Sequence, residues 1–509
     1  MSESSIVPAD RREGLSVSFL VLVLAGYLAV HLLLRLALSP SLIPDESSLA
    51  LFSQSLDWGY SEQPPLYSWL VWGAVRLLGL SIFSLTLVRM LVLAAVPLAL
   101  YATARAVLRD RSRGLLCVFS LFLFPSLAWN ALNYLTHSLL LCAISLATAR
   151  AILLLPSRRS WQAYARLGLW LGMGMLAKYN FALFAASLFL AGLSCRPYRA
   201  ALLDVRMLLS GTLAALLLLP HLLWFLKHAE QVCPLLVVKT GLGESGTTAG
   251  VLRGLWNLLI SNGVVLVMPF VAGVVFLLRP GSGWGFRSAA KSDACCLLER
   301  FFLAALLHLT LQVLAGTTRF QDRWLQPFVL LVPVYVFARL EGATLKPRRV
   351  RRYGAVLAMV ALLLTVTQAG RIWLGSRDDG TYPMQMSFAG FDECFSAEGL
   401  DRATVLTSDR VLGGNLCLHF PGARVFCVRQ RGYRPRIDTE SGPYFAVWHW
   451  SLGATYPDEF AAYADRTLPR RLVPAGPVRF VKVPALRPGR ATNYFGYVRL
   501  VPRATAAAL

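Results

Sequence analysis

Charge is scarce in this sequence. Asp, Glu, Lys and Arg make up 15% of its 509 residues, against about 25% in ordinary soluble proteins. That shortage excludes a purely soluble fold. Acids are the scarcer sign, 27 against 50 Lys and Arg. The net charge of +23 is still no nucleic-acid signature, because the basic residues sit in short gaps between apolar runs. No nucleic-acid partner is expected. Metal motifs are missing too: the nine cysteines show no ligand spacing. Cys117 and Cys142 lie in apolar runs and read as packing residues. Cys394, Cys417 and Cys427 lie in the C-terminal region, where two of them could pair if that region is exported.

What the chain has instead is long apolar runs, such as LSVSFLVLVLAGYLAVHLLL near its start. A secreted protein would show one such run and then an ordinary domain. Here the runs recur to about residue 370. Spans are expected near 17–38, 84–104, 114–128, 136–155, 161–177, 180–195, 205–225, 254–278, 299–316, 325–340 and 353–370. The basic gaps 105–113, 156–166, 196–206 and 339–352 fall on one side of such an order of about eleven spans, which makes that side cytoplasmic. The expectation is a mainly α, polytopic transmembrane helical bundle over 1–370. Residues 371–509 then lie outside. Their short strand-like runs (ATVLTSD, ARVFCV, PYFAVWHW, VRFVKVP, YFGYVRLV) and helix-like stretches read as a small α/β domain. A lid or packing module is the simplest role for it.

The first outer loop, 39–83, reverses the charge pattern. It opens with Asp45 and Glu46, continues with Asp57 and Glu62, and has no Lys or Arg before Arg76. Its apolar end, 66–83, reads as an interfacial helix. An isolated Asp-Glu pair at a helix start is more often a cap than a catalytic group. Two carboxylates beside lipid can also serve as a general base or hold a cation. What moves the reading from capping to chemistry is the aromatic and proline pattern that follows, DWGYSEQPPLYSWL.

That whole stretch resembles the first outer loop of the membrane glycosyltransferases of family 39. This group includes protein O-mannosyltransferases, the aminoarabinose transferase of lipid A and rhizobial galacturonic acid transferases. GMGMLAKYNFALF and RFQDRWLQPFVLLVP are similar to two later family segments, and TVLTSDRVLGGNLCLHFPGARVFCV to the start of the tail domain in one bacterial branch. The resemblance implies a GT-C fold in a bacterial inner membrane, with the active site and the tail facing the periplasm. It implies a glycosyltransferase, hexosyl- or pentosyl-, that moves a sugar from a polyprenyl phosphate to an envelope acceptor (lipid A or lipopolysaccharide, another glycan, a lipid or a protein) with inversion. Asp45 matches the catalytic base, and Glu46 its neighbour that positions the acceptor or helps hold a cation. A divalent metal is a candidate cofactor.

The leaving group is a lipid phosphate, whose developing charge needs cations. Lys178, Arg319 and Arg323 stand at outer span ends and are expected to bind that phosphate, with Arg89 a weaker candidate. Each would serve equally as a headgroup anchor. Two departures from the family pattern stand out. His137 occupies the place of an acid in the second outer loop, as a candidate metal or acid–base group or simply a cap. Gln63 stands where some relatives carry a base. The competing expectation is a non-catalytic lipid or sugar flippase, which would need the spans but not the acidic loop. Transporters also show internal repeats and midplane polar residues, neither of which is evident here.

Overall fold

A computed structural model describes residues 17–503, apart from 62, 131–135, 243–247, 260–264, 279–291, 342, 375–383, 385, 397, 431–432, 436–441, 469–470, 485 and 487–491. Among the described residues, six helices are long and apolar enough to cross a bilayer: Val17–Leu38 (α1), Ile82–Val107, His137–Ser157, Met207–Lys227, Asp293–Leu314 and Pro347–Arg371. A seventh crossing arises if Phe181–Ser194 and Arg196–Leu202, bent by 116°, count as one. The other expected spans are shorter or broken. Trp161–Ala177 has 17 residues, about 25 Å of helix against a hydrocarbon core of about 30 Å. The 114–128 span is interrupted by a 3-10 turn at Ser120–Leu123, followed by Pro125. The 325–340 span divides into Asp322–Val329 and Leu331–Arg339. Pro333 has no N–H to give the Val329 carbonyl, so the ladder fails there. In 254–278 the described helices are Thr248–Trp256 and Val265–Leu277.

The basic gaps do gather at one end of the bundle. Arg113 bonds the carbonyls of Leu340 and Ala343. Arg206 donates to the Arg159 carbonyl at 2.9 Å, and Arg300 bonds the Ser194 carbonyl. The packed core runs through the bundle, while leucines such as Leu22 and Leu33 on α1 point outward, as lipid-facing residues do.

At the opposite end, α2 (Pro44–Phe52) follows α1, and α3 (Leu66–Leu78) is the short apolar helix expected at the interface. The next helix, α4 (Ile82–Val107), runs back through the bundle.

The tail carries a mixed sheet of β1 (Thr404–Thr407), β2 (Arg424–Cys427), β3 (Tyr444–His449), β4 (Leu472–Pro474), β5 (Arg479–Val483) and β6 (Asn493–Pro502). β2 and β3 flank β1 in parallel, β6 pairs antiparallel with β3, and β4 and β5 take successive stretches of the far edge of β6. Cys417 and Cys427 are buried free thiols; the Cys394 side chain lies outside the described set.

The tail is bonded to the first outer loop. Asn415 accepts from the Leu42 amide at 2.9 Å. Gln54 exchanges hydrogen bonds with both backbone groups of Val425, at 2.8 and 3.0 Å. Tyr433 donates to the Leu51 carbonyl at 3.1 Å. Gly414 lies so close to Ser47 that a Cβ there would strike its backbone.

Candidate active site

The start of α2 shows why its adjacent acids diverge. Ile43 is extended and Pro44 takes the first helical position, where a missing N–H costs nothing. Asp45 and Glu46 then occupy the first turn, which favours negative charge. Helical geometry turns them to different faces.

Glu46 points into protein. Its Oε2 lies 2.7 Å from Arg35 Nη2 and its Oε1 3.1 Å from Arg89 Nη1, and all three side chains are almost fully buried. It also accepts from the Ile43 amide at 3.2 Å, the backward half of a capping box. Burial pushes the Glu46 carboxyl up, but the two guanidiniums outweigh it and hold it below the usual range. Arg35 further donates to the carbonyls of Ser39 and Ser41 at 2.8 and 2.7 Å, so the end of α1 is tied to the start of α2. Glu46 therefore does not line the cavity, and neither does Arg89. The expectation that Glu46 meets an acceptor or cation directly, and that Arg89 meets phosphate, gives way to a buried ion-pair cluster.

Asp45 points the other way, into a chamber of about 250 Å³. Its walls include Tyr60, Gln63, His137, Ser138, Lys178, Lys239 and Arg323, together with Arg410 and Gln430 from the tail. Burial raises the Asp45 carboxyl above its ordinary value, opposed by Arg410, Arg323 and Arg89. Lys178 caps the end of the Trp161–Ala177 helix and donates to Ser138 Oγ at 2.6 Å. Burial, with Arg323 and Lys239 nearby, pushes its ammonium down to about 7. Arg323 Nε donates to Gln321 Oε1 at 2.7 Å. Gln63 enters through a tight turn: its amide bonds the Tyr60 carbonyl at 3.1 Å, and Ser61 takes a φ of 53°.

A second cleft, about 300 Å³, opens beside the chamber and shares Gln63, Lys178 and Lys239 with it. Its remaining walls are mostly apolar, including Leu183, Leu236, Leu309, Phe320, Leu325 and Phe328. The two spaces meet at lysines.

The structure thus brings together Asp45, His137, Lys178 and Arg323. Arg319 is left out: its backbone N–H bonds the Thr240 carbonyl at 3.2 Å, and its exposed side chain lines neither space. His137 opens its helix, with its ring 5.2 Å from that of Tyr67. Among the described residues no three His, Cys, Asp or Glu side chains gather as metal ligands. Asp45 and His137 are the chamber's pair of potential ligands, and Glu46 is committed to arginines.

Lys239, Arg410 and Gln430 were not singled out from sequence. Arg410 did carry a signal: an arginine directly after a capping Asp, at the helix end that disfavours cations.

Comparison with known proteins places this arrangement. The family model described as dolichyl-phosphate-mannose-protein mannosyltransferase matches residues 62–224. The lipopolysaccharide core galacturonosyltransferase RgtB of Rhizobium johnstonii is 30% identical over 90% of this chain and 92% of its own. RgtA of the same organism, with the same description, is 30% identical over 88% of this chain and 89% of its own. The crystal structure of ArnT from Cupriavidus metallidurans bound to undecaprenyl phosphate shares the fold. It matches with a TM-score of 0.55 and 15% identity, over 95% of this chain and 98% of that one.

Proposed function

The chain belongs to this family of GT-C membrane glycosyltransferases, and from that premise we propose that it moves a hexuronic acid from a polyprenyl phosphate to a hydroxyl of the lipopolysaccharide core. Membership decides for a transferase over a flippase. One observation carries the donor assignment: an apolar cleft and a polar chamber meet at Lys178 and Lys239. A lipid-linked sugar phosphate has that same order of parts. The isoprenoid lies against Leu236, Phe320 and Phe328, the phosphate meets the lysines and Arg323, and the sugar enters the chamber beside Asp45.

Asp45 then takes the proton from the acceptor hydroxyl as its oxygen attacks the anomeric carbon. The bond from that carbon to the phosphate oxygen breaks, and its electron pair leaves on the phosphate. Lys178 and Arg323 stabilise the charge that develops there. One displacement inverts the configuration. Asp45 is the chamber's carboxylate among the described residues, which fits a single base. The acceptor class and the uronic sugar follow the activity for which RgtA and RgtB are named. The chamber and tail face the periplasm of the inner membrane on this reading, supported by the basic loops gathered at the other end. Residues 1–370 form the transferase domain and 371–509 a tail domain that completes its chamber.

The test uses purified chain, polyprenyl-phosphate galacturonate and lipopolysaccharide from a strain lacking the gene, read by mass spectrometry. A hexuronic acid should be added by the wild type and not by a folded Asp45→Asn variant. Absence of any addition by the wild type would remove the donor and acceptor assignment, and full transfer by Asp45→Asn would remove the base.

A further inference from the structure

Among the described residues the chamber carries four basic side chains and one carboxylate. Lys178, Lys239, Arg323 and Arg410 face it together with the carboxylate of Asp45. A sugar phosphodiester brings one negative charge. Lys178 and Lys239 lie where the two spaces join, and Arg323 acts on both Lys178 and Asp45. Those three side chains are the ones placed to meet the phosphate on the donor reading. Like Arg323, Arg410 lines the polar chamber and not the apolar cleft, but it differs from the other three in coming from the tail. Among the described residues neither Arg410 nor Arg323 is within ion-pair distance of a carboxylate.

The placement of Arg410 is specific. It is the first residue of the Arg410–His419 helix, whose N-cap is Asp409. Asp409 Oδ1 accepts from the amides of Val411 and Leu412 at 2.9 and 3.1 Å. The helix start is therefore satisfied without Arg410, and the helix dipole opposes a cation there. Local stability gives no reason for an arginine. The helix is also held against α2: Gly413 and Gly414 allow contact with Leu51 and Ser47, and Asn415 bonds Leu42. The guanidinium is thus carried on a fixed element into the space beside Asp45.

We propose that Arg410 reads the carboxylate of the transferred sugar, so that the tail domain sets selectivity for an acidic sugar over its neutral counterpart. This deepens the donor reading above and rests on it. A guanidinium presents a planar fork that matches a carboxylate in two parallel hydrogen bonds. A neutral hexose offers a hydroxymethyl group at that position and leaves the guanidinium unmatched.

The experiment compares kcat/KM for polyprenyl-phosphate galacturonate and polyprenyl-phosphate galactose in the wild type, Arg410→Met and Arg410→Lys. The wild type should prefer the uronate. Arg410→Met should lose on the order of 10- to 100-fold with the uronate, the range for a charged hydrogen-bonded pair, and little with galactose. Arg410→Lys should recover part of the preference. An equal loss with both donors would show that Arg410 acts only through Asp45 or the fold, and overturns the proposal. Wild-type preference for galactose overturns it as well. A wild type inactive with both donors, yet retaining the bare lipid phosphate, identifies failure of the sugar assignment; loss of lipid-phosphate binding too identifies failure of the whole donor reading.

Discussion

Glu46 and Arg35 are joined at 2.7 Å inside the protein, while Asp45, one residue earlier, faces the chamber. The adjacent acids therefore have separable roles. Arg35 closes the end of α1, Glu46 opens α2, and their pair holds the backbone from which Asp45 projects. Arg89 of α4 completes the cluster at 3.1 Å.

Glu46→Gln should accordingly be a stability variant. It leaves two buried guanidiniums without their carboxylate, a loss of about 3–5 kcal/mol when one partner of a buried pair is removed. Thermal unfolding of the detergent-solubilised protein should show a marked fall in Tm, with transfer partly retained at low temperature. Asp45→Asn should show the reverse, a wild-type Tm without transfer. A Glu46→Gln variant with unchanged Tm and no transfer would put Glu46 in the chemistry after all.

Gly414→Ala tests whether the tail completes the site. The added methyl would meet the backbone of Ser47, so the Arg410–His419 helix must lift from α2. The expected outcome is a raised KM for the lipid-linked donor and faster proteolysis of the tail. Gly476→Ala, where a Cβ meets nothing within 4 Å, should change neither. Normal kinetics in Gly414→Ala would mean that the close approach is not needed for the chamber.

The legible parts of this molecule are those encoded locally. Long apolar runs announce α1 and α4, and the short strand-like runs VRFVKVP and YFGYVRLV announce β5 and β6. Asp45 could be found because its acidic loop runs on into the aromatic and proline pattern DWGYSEQPPLYSWL. The role of Glu46 could not be separated from it, since that depends on Arg35 and Arg89 arriving from two different helices. Arg319 and Arg323 look equivalent along the chain. The start of a helix at Asp322 puts Arg323 on the chamber wall and leaves Arg319 exposed beside Thr240. Arg410 was hidden for a third reason. Its position depends on docking of the tail through Asn415, Gln54 and Tyr433, which neither hydropathy nor spacing encodes. The tail, expected as a lid or packing module, lines the chamber itself.

Lys178 should set the alkaline limit of donor capture. Its ammonium is pushed down to about 7 by burial and by Arg323 and Lys239, so it is charged below that pH and loses charge as pH rises through it. A phosphate held by Lys178 is then bound less well, and kcat/KM for the donor should fall as pH rises above about 7. Once bound, the phosphate's negative charge favours the protonated amine, so kcat at saturating donor should hold to higher pH than kcat/KM does. On the acid side the raised carboxyl of Asp45 works oppositely: the base is available only above its own pKa, and the rate falls as pH drops through it. Lys178→Arg separates the limbs, because a guanidinium stays charged throughout this range. That variant should lose the alkaline fall in kcat/KM and keep the acid one. An alkaline limb that survives Lys178→Arg unchanged would assign it to another group, and Lys178 would then be a span-end anchor bonded to Ser138.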